Sequence, residues 1–103
     1  MRFTKQDLER AIQIWSEGLQ RYPDSSLLHI KLGYAYFQRV MDGNSNDPQG
    51  DFKKAYQLGR EGLASPTATP LSIGIGHELM AELEANYTRD FEQALRELSL
   101  IHI

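Results

Sequence analysis

The sequence predicts an all-α chain of about five helices, and three observations carry that prediction. Apolar residues recur at steps of three and four along most of the chain, which is the period of one helix face. The stretches between these runs are short and rich in Pro, Asp, Ser, Asn and Gly, residues that stop one helix and cap the next. One helical segment also returns 44 residues later with six identical residues in the same spacing, so a single unit has been used more than once.

The first helix is predicted from about Lys5 to Arg21, with Leu8, Ala11, Ile12, Trp15, Leu19 and Tyr22 on one stripe. Thr4 is its N-cap, and Asp7 takes the reciprocal capping-box position, where its charge also suits the helix dipole. Tyr22-Pro23 ends it, and Asp24 or Ser25 caps a second helix from about Ser26 to Met41. That second helix is apolar on nearly every side and is expected at the centre of the core. Asp42 to Asp47 reads as a solvent-exposed loop. Asp47-Pro48 restarts the chain as a third helix carrying Phe52, Ala55, Tyr56, Gly59 and Leu63. Ser65 to Pro70 ends it, with Thr69 capping a fourth helix from about Leu71 to Asn86. A fifth is expected from near Thr88, with Phe91, Ala94, Leu95 and Leu98 on its buried stripe.

The internal copy is explicit. Asp7, Ala11, Gln13, Glu17, Gly18 and Leu19 return as Asp51, Ala55, Gln57, Glu61, Gly62 and Leu63, and Asp90 to Leu95 has the same form as Asp51 to Tyr56. Between the first two copies stands Leu32-Gly33-x2-Tyr36, preceded by Ala11 with Trp15, Gly18 and Pro23 in continuous register. This set resembles the tetratricopeptide repeat family, whose unit of about 34 residues carries W-x2-L-G-x2-Y, then A-x3-F, then a closing proline. His29 stands where that family most often has tryptophan. The small residues let helices approach closely, and Trp15 and Tyr36 fill the space beside them.

The resemblance implies a right-handed superhelical stack of antiparallel helix pairs in one domain over residues 1–103. It would hold the second helix of a first repeat (5–21), a second repeat (26–64) with a loop at 42–50, and a degenerate third repeat (70–101). Three departures stand out. The loop lengthens repeat two, Gly59 replaces a large residue, and the fourth helix keeps only Ala81 and the spacing to Ala94. Residues 34 to 64 also look like repeat regions attached to some bacterial adenylate or guanylate cyclases and related signalling proteins, although nothing of a cyclase catalytic domain is present.

Composition narrows the function. Eleven Lys and Arg against 14 Asp and Glu, interspersed in sequence, give a net charge of −3 and no clustered basic face, so no nucleic acid partner is expected. There is no cysteine, which removes disulfides, thiolate metal sites and cysteine nucleophiles. No apolar run approaches the roughly 20 residues of a membrane helix, and the start lacks a signal-peptide core, so a soluble, cytoplasmic chain without membrane insertion is expected. A periplasmic setting is the alternative if the sequence was excised from a longer chain.

His77-Glu78 is not a zinc-protease motif, because Ala81 occupies the place of the second histidine. His29, His77 and His102 are too far apart in sequence to suggest a shared site and read as surface or packing residues. No nucleophile elbow or phosphate-binding loop is present, Gly74-Ile75-Gly76 is too short for a dinucleotide fingerprint, and the acidic residues read as solvated helix faces. The expectation is a non-enzyme with no cofactor and no metal.

By the resemblance, the first helix of each pair lines a concave groove that binds a protein or peptide partner. It turns Leu27, Ile30, Tyr34, Phe37 and Gln38 toward that groove, joined by Leu79, Leu83, Asn86 and Tyr87 from the next repeat. The alternative is that so short an array buries some of them, and helical spacing makes Trp15, Tyr34, Tyr36 and Phe37 better core residues than a ligand-stacking box. Ile30 and Tyr34 replace the polar residues of family members that clamp a carboxylate terminus, which implies a hydrophobic or mixed peptide. A second expectation is a regulatory or structural segment that forms homo-oligomers or stacks on neighbouring repeats through exposed helical ends.

Overall fold

The computed structural model describes residues 4–86 and 96. Four helices account for most of them: α1 (Lys5–Arg21), α2 (Ser26–Met41), α3 (Pro48–Ala64) and α4 (Pro70–Ala85), with no strand among the described residues. The fifth helix expected from near Thr88 lies outside the described residues, as does Tyr87.

Each helix begins where local chemistry starts it. Thr4, Ser25, Asp47 and Thr69 accept the backbone N–H three residues on, from Asp7, Leu28, Gly50 and Ser72 respectively. Thr4 and Asp7 form the reciprocal box, and Thr69 with Ser72 forms a second one. Gly43 takes φ +75°, the left-handed conformation that turns the chain out of α2.

Among the described helices, α2 packs on all three others, whereas α1 packs on α2 alone and α4 lies on both α3 and α2. Contacts give the directions. Glu9 with Arg39, and Gly18 with Leu28, set α1 antiparallel to α2. Arg39 with Asp51, and Ser26 with Gly62, set α2 antiparallel to α3. Gly59 lies beside Leu79 and Met80, and Gly76 beside Leu63, so α4 returns antiparallel to α3 and runs parallel to α2. An apolar face on nearly every side of α2 is thus used three times over.

Two apolar clusters form the core. Leu8, Ile12, Leu32 and Ala35 close the α1–α2 contact with Trp15, Leu19 and Leu58 around them. Phe37, Phe52, Ala55, Leu79 and Leu83 close the other, and there Leu79 and Met80 occupy the space beside Gly59 that a large side chain would have filled. Gly76 is the close-approach residue of α4, while Ala81, the small residue kept from the repeat pattern, is exposed. A hydroxyl network ties the two turns at one end of the stack. Ser26 Oγ donates to the Gly62 carbonyl at 2.6 Å and reaches Ser72 Oγ at 2.9 Å. Thr67 Oγ1 accepts the Ser26 amide and donates to the Asp24 carbonyl, to which Ser65 also donates.

Candidate interaction surface

Running parallel, α2 and α4 share one side of the molecule. Tyr34 sits half-buried there, edge-on to Phe37 at 6.4 Å between ring centroids, with its hydroxyl facing the carboxylates of Glu82 and Glu78 on α4. Burial first, and then those two negative charges and their hydrogen bonding, hold the phenol well above its usual pKa, so it remains a neutral donor. Leu27 and Gln38 flank Tyr34 along α2, both half-buried, and Gln38 Nε2 donates to Asp42 at 2.8 Å.

Of the nine residues expected to line a groove, Tyr87 lies outside the described residues and the other eight divide. Leu27, Tyr34 and Gln38 are partly accessible, and Asn86 is exposed with its side chain donating to the Glu82 carbonyl. Ile30, Phe37, Leu79 and Leu83 are core residues, exposed by only 0, 3, 0 and 1%. The groove expectation is corrected for those four. The physical reason is the close approach at glycines: Ile30 fills the space beside Gly62 and Gly76, and Leu79 that beside Gly33 and Gly59. What remains accessible is an aromatic flanked by an amide and two carboxylates.

The sequence did not reveal the charge cluster at the other end of α2. Arg39 donates to both Asp51 oxygens at 2.9 Å and to both Glu9 oxygens at 3.0 Å, joining α1, α2 and α3. Ser45 Oγ donates to Asp51 at 2.6 Å, which tethers the 42–47 loop to α3 although the loop, as expected, buries none of its residues. Asp51 is 4% exposed, so reading all acidic residues as solvated faces is corrected there too. Burial works to raise its pKa, but hydrogen bonds from Arg39 and Ser45 and the charges of Arg39 and Lys54 outweigh it and hold the carboxyl below the usual range. Arg39 is pushed up in turn, chiefly by its bond to Asp51.

A polar cleft of about 310 Å³ opens beside this cluster between Lys5, Asn44, Asn46 and Lys54. Of the carboxylates that line it, Glu9 and Asp51 are both paired with Arg39, so the cluster acts as a clasp across α1, α2 and α3. The one signal in the sequence was Asp51 directly preceding the buried Phe52 in a repeated stripe.

His29 is a packing residue: Nδ1 donates to the Ser25 carbonyl at 2.7 Å and Nε2 faces Glu61 at 3.3 Å. Among the described residues no group of three or more His, Asp or Glu is placed to hold a metal ion, and no helix is long and apolar enough to cross a membrane. No protein-family model, curated protein or solved structure matches the chain.

Proposed function

We propose that this chain is a non-catalytic binding scaffold that holds a peptide or a single helix along α2 and α4. The half-buried Tyr34 beside Glu78 and Glu82 carries the reading: an aromatic anchor next to two carboxylates can bury a partner's apolar side chain and orient a neighbouring cation. The helix order supports a stack like the one the tetratricopeptide resemblance implies, since α2 and α4 lie parallel and side by side while α1 and α3 return antiparallel to them.

Peptides selected from a random display library on the immobilised chain test this. Those that use the surface lose roughly tenfold or more in affinity with Tyr34→Ala while the far-ultraviolet helical signal is unchanged. Phe37→Ala, by contrast, removes a core ring and costs about 3–5 kcal/mol of stability. A selection that yields no binder, or binders indifferent to Tyr34→Ala, would refute the proposal.

A second reading, a segment that packs on other helical repeats through an end of the stack, is favoured by one observation. Among the described helices, α1 has a single neighbour.

A further inference from the structure

The contacts between the parallel helices α2 and α4 pair residues 46 positions apart: Ser26 with Ser72, Ile30 with Gly76, and Gly33 with Leu79. In that register Tyr34 stands level with the midpoint between Glu78 and Glu82, which lie one turn apart on α4, and its hydroxyl faces both carboxylates. Two turns back along both helices, Leu27 stands in the same way between Leu71 and Ile75. Leu71, Ile75, Glu78 and Glu82 follow at steps of four, three and four, so they share one face of α4. The surface therefore holds an apolar group and an acidic group about 10 Å apart, seven residues at the rise of a helix. Leu27 and Ile75 are half-buried and Leu71 is 66% exposed, so the apolar group is open to a partner.

The acidic group lacks a cation among the described residues. A phenol has one proton to donate, so Tyr34 can satisfy only one of the two carboxylates at a time. α4 carries no lysine or arginine, and the two on α2 are engaged elsewhere: Lys31 lies over the Trp15 ring at 5.9 Å, and Arg39 is paired with Glu9 and Asp51. The Arg39 cluster shows what completes such a set. There a tyrosine and two carboxylates meet one guanidinium, which donates to both oxygens of Asp51 and of Glu9 and lies 5.1 Å from the Tyr36 ring centroid. Five N–H donors in one plane let an arginine serve two carboxylates, whereas a lysine ammonium acts as a point charge.

We propose that the partner held along α2 and α4 carries an arginine that joins Glu78 to Glu82 beside Tyr34. About 10 Å from that arginine it carries an apolar side chain that sits on Leu27, Leu71 and Ile75. This rests on the binding reading above and adds the chemistry of the occupant. Charge complementarity places the arginine and excludes acidic segments, and the exposed leucine places the apolar residue.

Parallel selections from a random peptide display library, on the wild-type chain and on the chain with Glu78→Gln and Glu82→Gln, test it. Peptides retained by the wild-type chain are expected to be enriched in arginine and depleted in Asp and Glu, and the double variant loses that preference. In a retained peptide, glutamine in place of the arginine weakens binding to the wild-type chain roughly tenfold or more and leaves binding to the double variant nearly unchanged. Leu71→Asp, a change at an exposed position, weakens binding by a similar factor while the far-ultraviolet helical signal is unchanged. Peptides that depend on Tyr34 but show no arginine preference, or no coupling of that arginine to Glu78 and Glu82, overturn the proposal and leave the binding surface standing. Failure to select any peptide that depends on Tyr34 overturns both. Equal affinity with lysine in place of the arginine overturns the assignment to a guanidinium, and binding indifferent to Leu71→Asp overturns the placement of the apolar side chain.

Discussion

Asp51 shows how one position in a repeat acquires a different energetic role from its copy. Its counterpart Asp7 accepts the Thr4 amide at a helix start in solvent, whereas Asp51 is buried and takes both Arg39 nitrogens and the Ser45 hydroxyl. Removing one partner of such a cluster leaves charge without compensation, which typically costs about 3–5 kcal/mol. The carboxyl's pKa is depressed by folding, so its ionised form binds preferentially to the native state. That stabilisation is complete above the unfolded value near 3.8 and is lost as the pH falls below it through the lower folded value. The urea midpoint of the wild-type chain is therefore expected to exceed that of Asp51→Asn at about pH 7, with the gap closing as the pH falls below 3.8. A gap that widens on acidification would show that Asp51 is not held as its ionised form.

At the scale of the element, the glycines of α3 and α4 report where helices touch. A Cβ on Gly62 would meet Ile30 Cγ1 at 2.5 Å and the Ser26 carbonyl oxygen at 3.0 Å, and the second of these is backbone that cannot rotate away. Gly62→Ala is expected to destabilise by about 1–3 kcal/mol through overpacking. Gly74, in the middle of α4, has nothing within 4 Å of the same construction. Gly74→Ala is expected to stabilise by about 0.5–1 kcal/mol from helix propensity and reduced unfolded-state freedom. Thermal unfolding of the two variants decides the matter, and equal signs for both changes would refute the packing of α3 on α2.

The elements themselves were legible in the sequence because what starts and stops them is local: each cap reaches a backbone N–H only three residues away. What was not legible is direction. With apolar residues on nearly all sides of α2, periodicity offers no single inward face, so Ile30 and Phe37 read equally well as lining or as core. The clasp was hidden for a related reason. The burial of Asp51 depends on Arg39, on a different helix, and on a loop residue that composition alone makes solvent-facing. The close approach of α4 was not legible either, because it falls at Gly76, which meets Ile30 and Leu63, while Ala81 is exposed.

For the molecule as a whole, the arrangement of neighbours sets the order in which parts open. Helices with few buried contacts exchange their amides by local unfolding, whereas those buried between several others open only with the whole structure. α2 touches α1, α3 and α4 and carries six buried residues; α1 touches α2 alone among the described helices and buries only Leu8 and Ile12. The Arg39–Glu9 pair is its main polar tether, and Glu9 is nearly half exposed at its side chain, where ion pairs contribute little. Native-state hydrogen exchange is therefore expected to assign α1 amides an opening free energy lower than that of α2 by roughly 1 kcal/mol or more, with α3 grouped with α2. Equal protection of α1 and α2 would show that α1 is held by more than its contact with α2.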